Sequence, residues 1–395
     1  MPTNPLAGIT VLDLSTFLSG PMVTRALADL GAEVIKVESP SGDPTRAGAG
    51  MKPGDPPSPF WISLHRDRRG VVLDLKTEKG REVLLDLVGA SDVLVENFRP
   101  GVMQRLDLAP ARLRRANDRL VHCSITGFGP DGPIADQVSL DGAVQAFAGL
   151  VDLAGRLGLT ASPSPLTVAD IAGGSVGTQA ILAALLARER TGAGTHIEVS
   201  LFEALLQWLT LADRTGTLAP PITQVVVAGD GRALLVQSPL HFQQRLVELV
   251  AQVPGFADLA EVGRFDTLEG VRADPDGYSQ AMRGAFATRT ADEWLGLLLE
   301  KGIPASLLNS IDQAMDHPQL EHRHAVVELE LAGGERTKVL ASPYCFDGAR
   351  RMDTRLPPAL GEDTAMVLRD LLGYDEGHIG DLAETGAFGA GKVIR

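Results

Sequence analysis

Apolar residues recur along the first half of the chain in two alternating rhythms. Residues 9–14 form a short apolar run, Gly20-Pro21 opens a stretch with helical spacing over 22–30, and Gly31 ends it before a second apolar run at 33–37. Proline suits a first helical turn, where its missing amide hydrogen would be unpaired anyway, and glycine suits the residue past the end. The segment therefore reads strand, helix, strand. The rhythm continues with a strand at 71–75, a helix over 79–88 and strands at 93–96 and 120–126. A helix from about 171 to 190 follows, then the turn Thr191-Gly192-Ala193-Gly194, a strand at 196–199 and a helix over 202–211. Alternation of this kind predicts a parallel sheet with right-handed crossovers and helices on both faces.

The punctuation changes after residue 211. Residues 1–211 read as the first part of a large domain, 212–221 as a turn-rich linker, and 222–335 as a smaller α+β domain that opens with a hairpin around Gly229-Asp230-Gly231. Residues 336–395 carry Pro357-Pro358 and then helical spacing over 363–372, which predicts a folded segment returning to the large domain. A length of 395 residues suits two domains. The chain has no internal repeat or low-complexity tract.

Composition narrows the function classes. The formal net charge is −14 and no long basic run offsets it, which argues against nucleic acid as a partner. Two cysteines, Cys123 and Cys345, form neither a disulfide framework nor a zinc spacing. The longest apolar run, 180–187, falls far short of the roughly 20 residues of a membrane span. The N-terminus shows no basic segment followed by an apolar core. A reducing cytoplasm, with no membrane partner, is the expected setting.

Loops that follow parallel strands are where an open α/β sheet binds ligands. Here they contribute residues 16–19, Lys76, Asn97 to Arg99, and Thr126-Gly127. With His65-Arg66-Asp67-Arg68-Arg69 and Arg105 they supply cations and amide donors suited to a phosphorylated ligand. Solvated surface arginines are the plainer alternative. Glu38 ends the second strand, where a dinucleotide enzyme would hold a ribose. The first turn, Ser15-Thr16-Phe17-Leu18-Ser19-Gly20, lacks the Gly-x-Gly-x-x-Gly that lets backbone approach a pyrophosphate, which sets a dehydrogenase aside.

Gly173-Gly174-Ser175-Val176-Gly177 matches the Gly-x-Ser-x-Gly elbow of serine hydrolases. A hydrolase also needs a later acid and histidine and a glycine-rich oxyanion loop. Asp316 and His317 are adjacent and ill placed for those roles, so close helix packing by small residues is the preferred reading. Three residues earlier stands Asp170. It reads either as a helix N-cap or as a carboxylate that the helix start keeps ionised, a nucleophile needing no general base. His317, His322 and His324 match no metal-ligand spacing and read as a surface turn.

Taken in order, several of these segments resemble family III CoA-transferases, the group of carnitine and formyl-CoA transferases. They are Pro5-Leu6-Ala7-Gly8-Ile9-Thr10-Val11-Leu12-Asp13-Leu14, Gly20-Pro21, Leu30-Gly31-Ala32-Glu33-Val34-Ile35-Lys36-Val37-Glu38, Leu73-Asp74-Leu75-Lys76 and Val95-Glu96-Asn97-Phe98-Arg99-Pro100-Gly101. Gly127-Phe128-Gly129, Ala169-Asp170, Thr191-Gly192-Ala193-Gly194 and Leu360-Gly361-Glu362-Asp363-Thr364 continue the likeness over nearly the whole chain.

The resemblance implies a large Rossmann-like doubly wound domain plus a smaller α+β domain, with two chains interlocked as a homodimer and the active site between large and small domains. It implies Asp170 as catalytic residue. Contacts to coenzyme A or substrate would come from Leu18, Ser19, Ser39, Leu73, Asp74, Leu75, Lys76, Asn97, Phe98, Arg99, Arg105, Val138, Ser139, Leu140 and Asp141. No metal and no tightly bound cofactor are implied; an acyl-CoA donor and a carboxylic acid acceptor are the partners.

The same family includes 2-methylacyl-CoA racemases, which carry a histidine where Leu140 stands here, and an alkyl side chain moves no proton. Formyl-CoA transferases carry a glutamine at Leu18, a tyrosine at Leu140 and a glycine run in the small domain that this chain lacks. The two leucines imply a less polar acyl pocket. The expected function is therefore acyl-CoA:carboxylate CoA transfer. A racemase-like enzyme, a serine hydrolase using Ser175 and a non-enzymatic homologue are the alternatives.

Overall fold

The computed structural model describes residues 4–46, 57–157, 159–211, 223–239, 241–260, 265–331 and 334–389; the linker expected at 212–221 lies outside them. The chain divides into two compact units. One holds residues 1–155, 160–212 and 318–395, and the other residues 156–159 and 213–317.

In the first unit the expected alternation is realised as β1 (Thr10–Asp13), α1 (Ser19–Asp29), β2 (Glu33–Glu38), α2 (Pro59–His65), β3 (Arg68–Val72), α3 (Glu78–Gly89) and β4 (Val93–Glu96). α4 (Val102–Arg105), α5 (Pro110–Ala116), β5 (Val121–Thr126), α6 (Asp141–Ala148), α7 (Leu150–Arg156), α8 (Val168–Thr191), β6 (Thr195–Ser200) and α9 (Leu201–Leu209) follow. The six strands are all parallel, in the order β3-β2-β1-β4-β5-β6. The chain winds outward from β1 to β3 and then restarts at β4 beside β1. A crevice at the carboxyl ends of β1 and β4 is the ligand position that this reversal creates.

Side-chain alternation along each strand feeds two cores, one on each face. Leu12, Ile35 and Leu94 pack beneath α3, while Val11, Val34, Val93, Cys123 and Ile125 pack beneath α1, α8 and α9. α8 lies close to its neighbours because its glycines leave room. A Cβ at Gly177 would stand 3.0 Å from Val23, and one at Gly173 would collide with Leu201. Among the described residues α8 is also the helix long and apolar enough by composition to cross a membrane, yet its Ala172, Ile181 and Leu185 belong to this core.

One strand sits elsewhere than its apolar run. The expected strand at 71–75 is β3, Arg68–Val72, with Arg68 paired in register against Val34. Hydrophobic patterning passes over Arg68 because a guanidinium reads as surface, whereas here it is buried against a carboxylate.

The second unit has its own core of Phe265, Phe286, Trp294 and Leu246, among others. It comprises β7 (Thr223–Val227), β8 (Ala233–Gln237), α10 (His241–Val250), α11 (Leu268–Ala273), α12 (Pro275–Phe286), α13 (Ala291–Glu300), β9 (Ala305–Leu307) and α14 (Ile311–Met315). The hairpin expected around Gly229-Asp230-Gly231 is β7–β8, and β9 adds antiparallel to β8.

The last segment begins earlier than its composition indicates. Residues 318–335, expected in the smaller domain, lie in the first unit, with α15 (Pro318–His322) and the hairpin of β10 (Val326–Glu330) and β11 (Arg336–Leu340). The physical reason is a small apolar cluster in which Leu329, Leu331 and Val339 pack on Ile62 of α2. α16 (Thr364–Leu372) and α17 (Glu376–Glu384) complete the unit. Asp363 accepts a hydrogen bond from the Gly70 amide at 2.7 Å, and Thr364 one from the Val72 amide at 3.1 Å. These bonds satisfy the open edge of β3.

Candidate active site

A cleft of about 980 Å3 opens at the carboxyl ends of the sheet. Its walls are the loop after β1, the segment from Asn97 to Pro100 after β4, Thr126-Gly127 after β5, the approach to α6 and the first turn of α8. Asp170 stands in that first turn.

The N-cap of α8 is Thr167, so Asp170 is not the cap. That role is taken from a distance. Asp141, at the start of α6, accepts hydrogen bonds through Oδ1 from the amides of Ala169 at 2.7 Å and Asp170 at 3.1 Å. Its Oδ2 accepts from Gln145, whose Oε1 accepts from the Ser164 amide at 2.8 Å. Asp141 thus fixes the helix start and spends its carboxylate doing so.

Burial pushes the Asp170 carboxyl up, the Asp141 charge pushes it further, and a hydrogen bond from the Ser19 hydroxyl partly opposes them, leaving it at about 6. At neutral pH this side chain is a carboxylate more basic than usual, and hence a better nucleophile.

The loop facing Asp170 is held from below. Asp13 accepts from the Ser15 amide at 3.0 Å and from Thr24 Oγ1 at 2.7 Å, and it pairs with the buried guanidinium of Arg68. Lys36 donates to the Ser15 carbonyl and lies 3.3 Å from Asp43. Burial raises the Asp13 carboxyl, but Lys36, Arg68, Ser15 and Thr24 together hold it below the ordinary carboxylate value. From above, Asn97 Oδ1 accepts from the Thr16 amide at 2.8 Å, and Nδ2 donates to the Thr16 carbonyl at 2.8 Å and to Ser19 Oγ at 3.2 Å. The clamp holds Phe17 in the left-handed region, φ 61°, which is costly for an aromatic residue. Gly20 is required because any Cβ there would collide with Ser15.

Several expected cations are therefore not ligand groups. Arg66 pairs with Asp29 at 2.8 Å and with Asp67, and Arg68 with Asp13 and the carbonyls of Pro21 and Leu64. Arg69 pairs with Glu33 and Asp370. Glu38 accepts from Arg46 and from the Asp43 amide, which leaves no carboxylate for a ribose.

The cleft does gather Leu18, Ser19, Asn97, Phe98, Arg99, Arg105, Ser139, Leu140, Asp141 and Asp170. Arg99 and Arg105 are exposed, and neither has an ion-pair partner among the described residues. Val138 is exposed beside the lining. Ser39, Leu73, Asp74, Leu75 and Lys76 lie outside it. Ser39 is exposed and hydrogen-bonds Ser41, Leu73 is a core residue, Asp74 Oδ1 accepts from the Lys76 amide, and Lys76 is exposed. The cleft also includes Phe17 and Phe60, both half-exposed, which residue type alone gives no reason to select.

Geometry weakens two alternatives. Ser175 lies within α8 and donates its hydroxyl to the Ile171 carbonyl at 2.8 Å, so it is no nucleophile elbow. Asp141 is saturated by two amides and Gln145, so it cannot serve as the second proton-transfer group that a racemase needs. Among the described residues no group of three His, Cys, Asp or Glu could hold a metal, the segment with His317, His322 and His324 included.

The chain belongs to CoA-transferase family III, whose sequence profile matches residues 6–364, and it is a CoA-transferase that takes CoA thioesters as substrates. It is 31% identical to a probable fatty acyl-CoA transferase of Mycobacterium tuberculosis, over 93% of this chain and 98% of that protein. It is 34% identical to an acetyl-CoA:oxalate CoA-transferase of Acetobacter aceti, over 83% of this chain and 86% of the relative. Among solved structures, a CAIB/BAIF family protein from Brucella suis superposes with a TM-score of 0.81 at 30% identity, covering 93% of this chain and 99% of that one.

Proposed function

We propose that the enzyme moves coenzyme A from an acyl-CoA donor to a carboxylic acid acceptor through covalent intermediates on Asp170. The observation that carries this reading is a partly buried carboxylate, poised at about 6, facing a large cleft, with its neighbour Asp141 already engaged by two backbone amides. A lone carboxylate suffices for anhydride chemistry and does not suffice for proton shuttling.

Asp170 attacks the thioester carbonyl; the carbon–sulfur bond breaks, and CoA thiolate leaves a mixed anhydride. The thiolate then attacks the Asp170 carbonyl, releasing the donor acid and forming an aspartyl-CoA thioester. The acceptor carboxylate attacks that thioester, giving a second anhydride and free thiolate. Thiolate attack on the acceptor's carbonyl releases the new acyl-CoA and restores Asp170. The Ser19 backbone amide is the proposed donor to a developing oxyanion, since the first amides of α8 are taken by Asp141 and by the carbonyls of Leu166 and Thr167. Arg99 and Arg105 supply the cations for the CoA phosphates, and Leu18 and Leu140 an apolar wall for the acyl group. The proposed setting is the cytoplasm, and the proposed assembly a homodimer of interlocked chains, to be checked by light scattering at low concentration.

A panel of acyl-CoA donors incubated with carboxylate acceptors tests the activity. Borohydride reduction or hydroxylamine trapping with peptide mass spectrometry tests the intermediate. Transfer with label on Asp170 is expected. Label on another residue, or deuterium washing into the α-carbon without transfer, would overturn the reading, and absence of CoA binding would favour a non-enzymatic homologue.

A further inference from the structure

The hydrogen bond on Asp170 is set by a residue that does not touch it. Ser19 Oγ has one hydrogen to give, and the direction in which it gives it is decided at Asn97. The Asn97 amide is oriented without ambiguity, because Oδ1 accepts from the Thr16 amide and Nδ2 donates to the Thr16 carbonyl, both at 2.8 Å. Nδ2 carries no lone pair to accept with, so at the 3.2 Å contact Ser19 Oγ is the acceptor. Its own hydrogen is left for the Asp170 carboxylate. Ser19 is only 4% exposed although it lines the cleft, which limits competition from water for that hydrogen.

We infer that Asn97 is a positioning residue for the reaction: by donating to Ser19 it turns the Ser19 hydroxyl toward Asp170, holding the nucleophile ionised and oriented. The inference rests on the reading of Asp170 as nucleophile. It gives Asn97 a role other than contact with coenzyme A.

The charged groups around Asp170 leave this relay its part. Asp141 from α6 opposes ionisation. On α1, Arg25 and Asp29 pair with each other at 2.9 Å. Glu203 of α9 is exposed, and Asp136, Arg99 and Arg105 line the same cleft.

Reversing the hydroxyl is the decisive test. In Asn97→Asp a carboxylate replaces the donating amide at the same size, so Ser19 donates to position 97 and is lost to Asp170. Protein labelled with 13C at aspartate Cγ, with the Asp170 signal assigned by Asp170→Asn, is titrated by NMR with no substrate present. Ser19→Ala is expected to raise the Asp170 midpoint by about half a pH unit or more, and Asn97→Asp by about one pH unit. A rise of that size makes the ratio of transfer at pH 8 to transfer at pH 6 about fivefold larger in Asn97→Asp than in the parent, whatever loss the broken Thr16 contact adds at both pH values.

The added charge alone would also raise the midpoint, so Asn97→Asp is repeated in the Ser19→Ala background. A relay makes its effect smaller there, whereas pure charge leaves it undiminished. Undiminished effect in the double variant, or wild-type midpoints in both single variants, would overturn the inference. Shifted midpoints in a protein that transfers no CoA would support the relay while removing the transfer reading.

Discussion

Two sets of arginines lie at opposite ends of parallel strands and have opposite fates. Arg66 and Arg68 stand where the chain enters β3, and both are buried in ion pairs with Asp29, Asp67 and Asp13. Arg99 and Arg105 stand beyond the carboxyl end of β4, exposed on a cleft and without protein counter-charges among the described residues. The first set is structural because its partners were supplied within the fold. The second has no such partner among the described residues, and it is the set proposed above to meet the phosphates of coenzyme A. Position relative to the strand, more than residue type, separates the two.

The largest effect should come from breaking the buried set. Arg68→Ala leaves buried Asp13 with Lys36, at 3.9 Å, as its remaining cation among the described residues, and removing one partner of a buried pair costs about 3–5 kcal/mol. A loss of stability of that size in urea unfolding is expected, with the β1 loop disordered; a change below about 0.5 kcal/mol, as at an ordinary surface site, would erase the contrast.

Arg99→Ala and Arg105→Ala should do the reverse, keeping stability within about 0.5 kcal/mol while weakening acyl-CoA binding. Losing one charge-assisted phosphate contact costs about 1.5–3 kcal/mol, roughly ten- to a hundredfold in Kd by calorimetry. Lys76→Ala, at an exposed position outside the cleft, should weaken binding less than either arginine change.

Asp170 supplies the smallest and most pH-bound effect. Its carboxyl is raised from 3.8 to about 6 on folding, so the folded state binds the proton more tightly. That binding favours folding below 3.8, and the advantage is lost as pH rises through about 6. Asp170→Asn should therefore abolish transfer yet stabilise the protein by about 1–3 kcal/mol at pH 8, since a tenfold change in proton affinity corresponds to about 1.4 kcal/mol. The gain should vanish below about pH 4. A variant no more stable than the parent at pH 8 would show that Asp170 is not strained by its surroundings.

Local features of the fold were legible in the sequence. Gly20-Pro21 and Gly31 bounded α1, the run at 93–96 is β4 to the residue, and Arg99, Arg105 and Asp170, which the resemblance had named, line one cleft. Features that depend on distant partners were not. Arg68 looked like a ligand cation because its Asp13 partner lies 55 residues away. Asp170 looked like an N-cap because the actual capping carboxylate, Asp141, comes from 29 residues upstream. Asn97 matched a ligand-binding motif, and only the fold brings it against Thr16 and Ser19. Burial and pairing of a polar side chain are properties of the folded chain that its residue type does not announce.

The cap that Asp141 places on α8 also governs which changes of length this chain can absorb here. Two amides on one carboxylate oxygen fix the rotational phase of the helix, and glycines seated against Val23 and Leu201 fix its depth. One residue inserted between Asp170 and Gly173 would turn Asp170 by about 100° relative to those glycines and carry it about 1.5 Å along the axis. Insertions ahead of Thr167 have no such effect, because the loop absorbs them before the phase is set. The chain can therefore be lengthened on the approach to Asp170 and not in the turn that follows it.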